Sequence, residues 1–95
     1  DRWTGFFDAD ALAEPLELRS RRKGERFQPL GMEGAHVKVS ELMINLKVPE
    51  LWRDHVPLLV SGGDILWVCG RRMAENGKVK PKTQRVVRFG FEHTA

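Results

Sequence analysis

The apolar segments of this chain are short. The longest two, Val56–Gly63 and Ile65–Gly70, are broken by Pro, Ser or Gly. A helix that crosses a membrane needs about 20 apolar residues, so the sequence predicts no membrane span and no membrane partner. Short apolar runs between turn residues are typical of β-strands. The chain is therefore expected to form several short strands.

The first third of the chain contains two strand patterns. Phe6–Asp10 predicts a short strand that ends in an Asp-containing turn. Leu16–Arg21 alternates apolar and polar residues, which is the period of a half-buried strand. On this pattern we expect Leu16 and Leu18 to face the core. The next turn falls at Lys23–Gly24, where glycine favours a change of direction.

The helical signal lies in the middle of the chain, after a predicted loop over Gln28–Ala35. Ser40 is placed to cap the N-terminus of a helix. The apolar residues that follow share one face at helical spacing: Val39, Leu42, Met43 and Leu46. Pro49 ends this helix, and it also opens a second short helix over Pro49–His55, because proline is tolerated at the first helical position.

The second half of the chain has the patterns of β-structure. Leu58–Val60 and Ile65–Val68 flank Ser61–Asp64, which contains two glycines. A phosphate-binding loop would need a helix after its glycines, whereas a strand follows here, so Ser61–Asp64 predicts a hairpin turn. The last strand spans Gln84–Phe91, with one face formed by Val87, Phe89 and Phe91. Together these elements predict a mainly β or α+β fold.

The length of 95 residues predicts a single domain over residues 1–95. Positive charge is concentrated after residue 18: residues 1–18 hold one base and five acids, and residues 19–95 hold 15 bases and eight acids. Arg19–Arg26 carries five bases and one acid, and Arg71–Arg88 carries seven bases and one acid. Such blocks attract polyanions where they fold onto one face. Otherwise they are a solvated surface.

The sequence contains no pattern typical of a catalytic or metal site. Three histidines are widely separated: His36, His55 and His93. They share no ligand spacing with Cys69, so we expect no metal site. Cys69 lies in an apolar segment and is expected to be a small buried side chain. Asp8 and Asp10 have the spacing of an acid–base pair, but turn capping is the prediction. The residues predict a basic binding module.

The segment Leu18–Met32 is informative as a string, because an Arg-rich strand precedes a Gly-Glu-Arg-Phe turn and then Pro-Leu-Gly. This order resembles the opening of the C-terminal domain of tRNA(Ile)-lysidine synthases. The resemblance continues through further segments: Lys38–Leu42, Asn45–Pro49, Arg53–Val60 and Ile65–Gly70. It covers nearly the whole chain, from Phe7 to Phe91.

This resemblance implies a piece of a longer bacterial enzyme. The family uses ATP to adenylate the wobble cytidine of the CAU anticodon in tRNA(Ile), and it then attaches lysine there. The ATP site and the chemistry belong to an N-terminal domain. For this chain the resemblance implies tRNA binding, no catalytic residue and no cofactor of its own. The implied partners are tRNA(Ile) and the other domains of the parent enzyme.

The resemblance also implies a fold and a location. The fold is a small β-sandwich-like domain with one or two short helices, shared with a phenylalanyl-tRNA synthetase subunit. The chain begins Asp1-Arg2-Trp3 without an initiator Met, and we expect it to be a C-terminal domain excised from a longer protein. With no export signal and one cysteine, the expected compartment is the cytoplasm.

The basic positions of the family motif are carried over residue by residue. With Lys23 of the turn, they form the predicted nucleic-acid site: Arg19, Arg21, Arg22, Lys23, Arg26, Lys38, Lys47 and Arg53. A-form RNA is held largely through phosphates, 2′-hydroxyls and shape, so basic side chains suit this role. Three positions depart from the pattern. Val37 and Glu50 replace common bases, and Cys69 replaces a frequent Pro.

Two alternatives remain. In the first, the basic face packs on acidic surfaces of other domains in the same protein. In the second, the chain is a free-standing RNA-binding module outside this enzyme. Salt dependence distinguishes RNA binding from docking, because phosphate contacts release counterions and the slope counts them.

Overall fold

The computed structural model describes residues 1–32 and 34–91. Within them the strands are β1 (Thr4–Asp8), β2 (Leu16–Arg19), β3 (Arg26–Phe27), β4 (Val37–Lys38), β5 (Leu58–Ser61), β6 (Asp64–Val68), β7 (Arg72–Met73) and β8 (Val86–Gly90). The α-helix α1 is Val39–Asn45, and three 3-10 helices span Ala9–Ala11, Glu50–His55 and Glu75–Gly77.

Antiparallel pairing organises these strands into one larger sheet and two small ones. The four-stranded sheet has the order β2-β5-β6-β7. The strands β1 and β8 form a two-stranded ribbon, in which Phe6 lies opposite Arg88, and β3 pairs only with β4. The ribbon therefore joins the beginning and the end of the described chain.

The β5–β6 hairpin lies at the centre of the four-stranded sheet, and all of its strand residues except Asp64 are buried. Strands covered on both sides are continuously apolar rather than alternating. The register shifts between Leu59 and Val60, so Leu66 has no partner residue across the pair and the strand carries a bulge. The turn uses Gly62 and Gly63 at φ 56° and 90°, as a tight primed turn requires. The predicted hairpin turn is confirmed.

Each face of this sheet supports its own apolar cluster. On one face α1 and β3 cover the sheet, and the buried cluster is Phe27, Val39, Leu42, Met43, Val48, Val56, Leu58, Val60, Ile65, Val68 and Ala74. On the other face β1 and β8 cover it, with Phe7, Leu59, Leu66, Trp67 and Cys69 buried. The predicted small, β-sandwich-like domain with short helices is confirmed.

Cys69 is fully buried, as expected. Burial raises the pKa of its thiol to about 12, because the thiolate would lose its hydration. The thiol is therefore protonated at neutral pH. Asp8 also has its predicted capping role, since its Oδ1 accepts from the Asp10 amide at 2.9 Å where the first 3-10 helix begins.

The helical segment differs from the prediction in three details. Lys38, not Ser40, precedes the first helical residue, and its side chain makes no capping hydrogen bond. Ser40 lies in the first turn because the helix begins at Val39, two residues earlier than a Ser40 cap would place its start. Leu46 is 42% exposed because the helix has already ended at Asn45. The predicted second helix is a 3-10 helix, preceded by Pro49.

The prediction that Leu16 and Leu18 face the core was wrong. They are 44% and 58% exposed. Leu18 lies opposite Leu59, which belongs to the face covered by the β1–β8 ribbon. The ribbon does not extend over this edge strand, so the two leucines line an open apolar groove with Phe89 and Phe91.

Within the described residues no helix has the length and apolar character to cross a membrane.

Gly70 and Gly24 form a matched pair that tests the packing of Trp3. Both have left-handed φ, 73° and 74°. A Cβ at Gly70 would lie 2.5 Å from the Trp3 ring, whereas one at Gly24 would meet nothing within 4 Å. We expect Gly24→Ala to cost about 1–2 kcal/mol through backbone strain alone. Gly70→Ala should cost about 1 kcal/mol more because the ring must move. Chemical denaturation measures both, and equal losses would contradict this packing argument.

Candidate functional site

A pair of oppositely charged side chains closes the turn between β2 and β3. The Arg19 guanidinium donates to both carboxylate oxygens of Glu25, with a 3.1 Å distance from Nη1 to Oε2. Their side chains are only 15% and 14% exposed. The bond to Arg19 is the main cause that lowers the pKa of Glu25, and it raises the pKa of Arg19. Arg19 is thus committed to holding the turn.

The same carboxylate also shapes the turn itself. Glu25 Oε2 accepts from the Arg22 amide at 3.0 Å, and the Glu25 amide donates to the Arg22 carbonyl at 3.2 Å. Gly24 supplies the left-handed residue, with φ 74°, at no steric cost. Arg22 and Lys23 are consequently held at the outside of a closed turn, where both are exposed.

This turn forms one wall of a cleft of about 280 Å³. We call it the basic cleft, and its lining residues are Arg21, Arg22, Lys23, Gly24, Glu25, Ser40 and Asp54. Arg21 Nε donates to Asp54 Oδ1 at 3.0 Å, which fixes the turn against the 3-10 helix Glu50–His55. Guanidinium and ammonium groups beside a hydroxyl and an open glycine backbone suit a phosphate oxygen.

The other predicted site residues lie outside the basic cleft. Arg26 and Lys38 are paired across β3 and β4, so their backbones are adjacent. Lys47 is exposed at the end of the α1 turn, with φ 58°. Arg53 is half-buried, and its Nε donates to the Val48 carbonyl at 3.0 Å. Arg53 therefore anchors the 3-10 helix, as Arg19 anchors the turn.

The second basic block, Arg71–Arg88, contributes no residue to the basic cleft. Arg72 Nη2 donates to the Leu30 carbonyl at 2.7 Å, and Lys78 pairs with Glu75. The block is spread over β7, a 3-10 helix, a loop and β8. Its charges are therefore distributed around the sheet, although they are dense in the sequence.

Sequence reasoning assigned no site role to three residues of the basic cleft: Glu25, Ser40 and Asp54. Ser40 was expected to cap the helix, and Asp54 received no role. Asp54 lies 33 residues from Arg21, so no local pattern signals their pairing. Among the described residues no group of three or more His, Cys, Asp or Glu side chains could hold a metal ion. His93 lies outside the described residues.

The comparisons with known proteins match this fold and this segment. The family model described as the TilS substrate C-terminal domain matches residues 16–89. The chain belongs to this family. The matched range contains the whole basic cleft.

Named relatives agree with this assignment. The tRNA(Ile)-lysidine synthases of Dehalococcoides mccartyi and Caldanaerobacter subterraneus are 45% and 43% identical over 90% and 86% of the chain. That of Clostridium tetani is 36% identical over 97%. The chain spans only 18%, 17% and 20% of the lengths of these relatives.

Two solved structures have similar folds. A crystal structure of a TilS C-terminal domain has a TM-score of 0.77 at 26% identity, covering 97% of this chain and 73% of that chain. An N-terminal fragment of the phenylalanyl-tRNA synthetase β-subunit from Pyrococcus horikoshii has a TM-score of 0.69 at 26% identity, covering 90% and 26%. The fold was predicted to resemble a lysidine synthase C-terminal domain and a phenylalanyl-tRNA synthetase subunit. Both resemblances are confirmed.

The Arg19–Glu25 pair makes stability depend on pH in a defined direction. The Glu25 pKa is lowered from its ordinary value of 4.5, so its contribution is complete above about pH 5 and is lost as the pH falls through the lowered value. We expect Glu25→Gln to cost about 1–3 kcal/mol at neutral pH, since Arg19 and the Arg22 amide lose an ionised acceptor. The deficit should shrink below pH 4.5.

Denaturant unfolding of both proteins across this pH range measures the difference. Glu50→Gln is the control, because Glu50 is exposed on the 3-10 helix and should change stability by less than about 0.5 kcal/mol. A Glu25→Gln deficit that stays constant from pH 7 to pH 3 would contradict the ion-pair assignment.

Proposed function

We propose that this chain is the tRNA-binding C-terminal domain of a tRNA(Ile)-lysidine synthase and that it holds RNA phosphates in the basic cleft. The observation that carries the proposal is the convergence of Arg21, Arg22 and Lys23 around one cleft. The family assignment supplies the enzyme context. In that context the substrate is tRNA(Ile), which the parent enzyme modifies with lysine at the wobble cytidine of the CAU anticodon.

The cleft has the chemistry of a backbone contact rather than of sequence readout. Arg22 and Lys23 present exposed cations, and Gly24 lets the backbone approach a phosphate. Arg21 adds a guanidinium held in place by Asp54. Phosphate contacts of this kind position a nucleic acid without reading its bases. The family resemblance implies that the domain would hold the tRNA away from the anticodon.

The catalytic steps are assigned to the rest of the parent enzyme. The ATP site would lie in a different domain, and this domain would contribute no cofactor and no catalytic residue. The parent would act in the bacterial cytoplasm, where its tRNA substrate is found. The other domains of the enzyme are accordingly its second partner.

The chain alone is therefore expected to bind tRNA but not to adenylate it. Incubation of the purified chain with tRNA(Ile) and ATP labelled in its α-phosphate should give no labelled nucleic acid. The full-length enzyme under the same conditions is the positive control. Labelling by the chain alone, above the level of a mock purification, would contradict this division of labour.

The basic cleft is tested by neutralising its two exposed cations. Binding of tRNA by Arg22→Gln/Lys23→Gln should have a weaker salt dependence than binding by the original chain. Two lost phosphate contacts reduce the slope of log K against log salt concentration by about two. Since Arg22 and Lys23 are exposed, the fold should tolerate the change within about 1 kcal/mol.

Lys80→Gln/Lys82→Gln is the matched control, because it removes the same charge from two exposed lysines outside the cleft. This control should change the slope of log K against log salt concentration by no more than about half of the change expected for one lost phosphate contact. An equal reduction in both variants would mean that overall charge governs binding. An unchanged slope in the cleft variant would favour docking on an acidic protein surface instead.

A further inference from the structure

A second concave site is lined by other residues of the 3-10 helix Glu50–His55. We call it the aromatic slot; its volume is about 330 Å³. Its lining includes Trp3, Trp52, His55 and Arg71. Ligand sites are typically apolar cavities of this size with a few polar groups. Here the polar groups are His55 and Arg71.

The two tryptophans of the slot are held differently. Trp3 packs directly over Gly70, where any Cβ would overlap the ring. Its ring also meets Phe91 at a centroid distance of 6.0 Å, with the Arg2 guanidinium 5.0 Å from its centroid. Trp52 contacts His55 at 6.2 Å but remains 63% exposed. Trp3 therefore forms a fixed wall, and Trp52 offers a free aromatic surface.

The geometry of the 3-10 helix sets the slot beside the basic cleft. With three residues per turn, side chains at positions i and i+3 lie on the same side. Trp52 and His55 thus share the side of the helix that lines the slot. Arg53 lies on a different side of the helix and donates to the Val48 carbonyl. Asp54 lines the basic cleft. The basic cleft and the aromatic slot therefore border the same 3-10 helix.

We propose that the aromatic slot binds an unpaired nucleobase of the RNA whose phosphates occupy the basic cleft. This inference rests on the proposed function. Bases stack on tryptophan because every base has a π-face, and unpaired bases are the part of an RNA that proteins hold in this way. Arg71 and His55 supply hydrogen-bonding groups at the rim. The domain would then distinguish RNA with an unpaired end or loop from a continuous duplex.

The test compares two RNA probes, a short blunt duplex and the same duplex with a single-stranded extension. The original chain should bind the extended probe at least about five-fold more tightly, the lower limit for stacking one base. An abasic extension of equal length should lose this advantage, because it keeps the phosphates and lacks the base. Fluorescence anisotropy of end-labelled probes measures all three affinities.

Substitutions on the 3-10 helix test whether the preference for the extended probe depends on the aromatic slot. Trp52→Ala should reduce the affinity ratio of the two probes to about one, and Trp52→Phe should retain most of it because a ring remains. Leu51→Ala is the matched control, since Leu51 is 88% exposed on the same helix but does not line the slot. It should leave the ratio unchanged. Thermal unfolding verifies that every variant is folded.

The outcomes separate this inference from the proposed function. Equal affinity of the original chain for blunt and extended probes would overturn the slot while leaving phosphate binding intact. A preference that survives Trp52→Ala, or that Leu51→Ala abolishes equally, would also overturn it. If the extended probe binds in a Trp52-dependent manner but Arg22→Gln/Lys23→Gln leaves its salt dependence unchanged, the slot binds a base and the phosphate cleft is wrong.

Discussion

The Glu25 carboxylate is the contact on which the arrangement of the basic segment depends. Five cations fall within Arg19–Arg26, and cations at such spacing repel one another unless an anion lies between them. Glu25 binds the Arg19 side chain and the Arg22 amide, and its carbonyl accepts from the Val39 amide where α1 begins. One acidic residue therefore connects β2, the turn and the helix. Of the other cations, Arg21 pairs with Asp54, and Arg22, Lys23 and Arg26 are exposed.

The central hairpin explains why the candidate sites lie at the periphery. Both faces of β5 and β6 are used by the two apolar clusters, so no face of this sheet is free for a ligand at its centre. The basic cleft and the aromatic slot are lined mainly by segments outside the two central strands. The basic cleft lies beyond β2, and the aromatic slot lies beside the segment that leads into β5. The apolar groove at Leu16 and Leu18 has the same origin, because the β1–β8 ribbon ends before that edge.

Local signals in the sequence were sufficient for the hairpin and for the basic turn, but not for the partners of individual side chains. Two apolar runs around Gly62–Gly63 predict a hairpin without knowledge of any other segment. The alternation of apolar and polar residues in β2 distinguishes the two faces of the strand, but it does not show which face another element covers. The prediction that Leu16 faces the core was wrong for this reason. Arg19 and Arg22 look alike in sequence. Only the fold shows that one is paired with Glu25 and the other is exposed, because that difference depends on the path of the chain.

The structure of the 3-10 helix Glu50–His55 depends both on neighbouring residues and on residues distant in the sequence. Pro49 precedes it and Pro57 follows it closely, so its short length is fixed locally. Its contacts are fixed at a distance, through Arg53 to the end of α1 and through Asp54 to Arg21. These two contacts connect the segment to the end of α1 and to the basic turn. Under the two proposals, a phosphate contact and a base contact would act on the same RNA strand, and the shared segment would not have to be ordered separately for each.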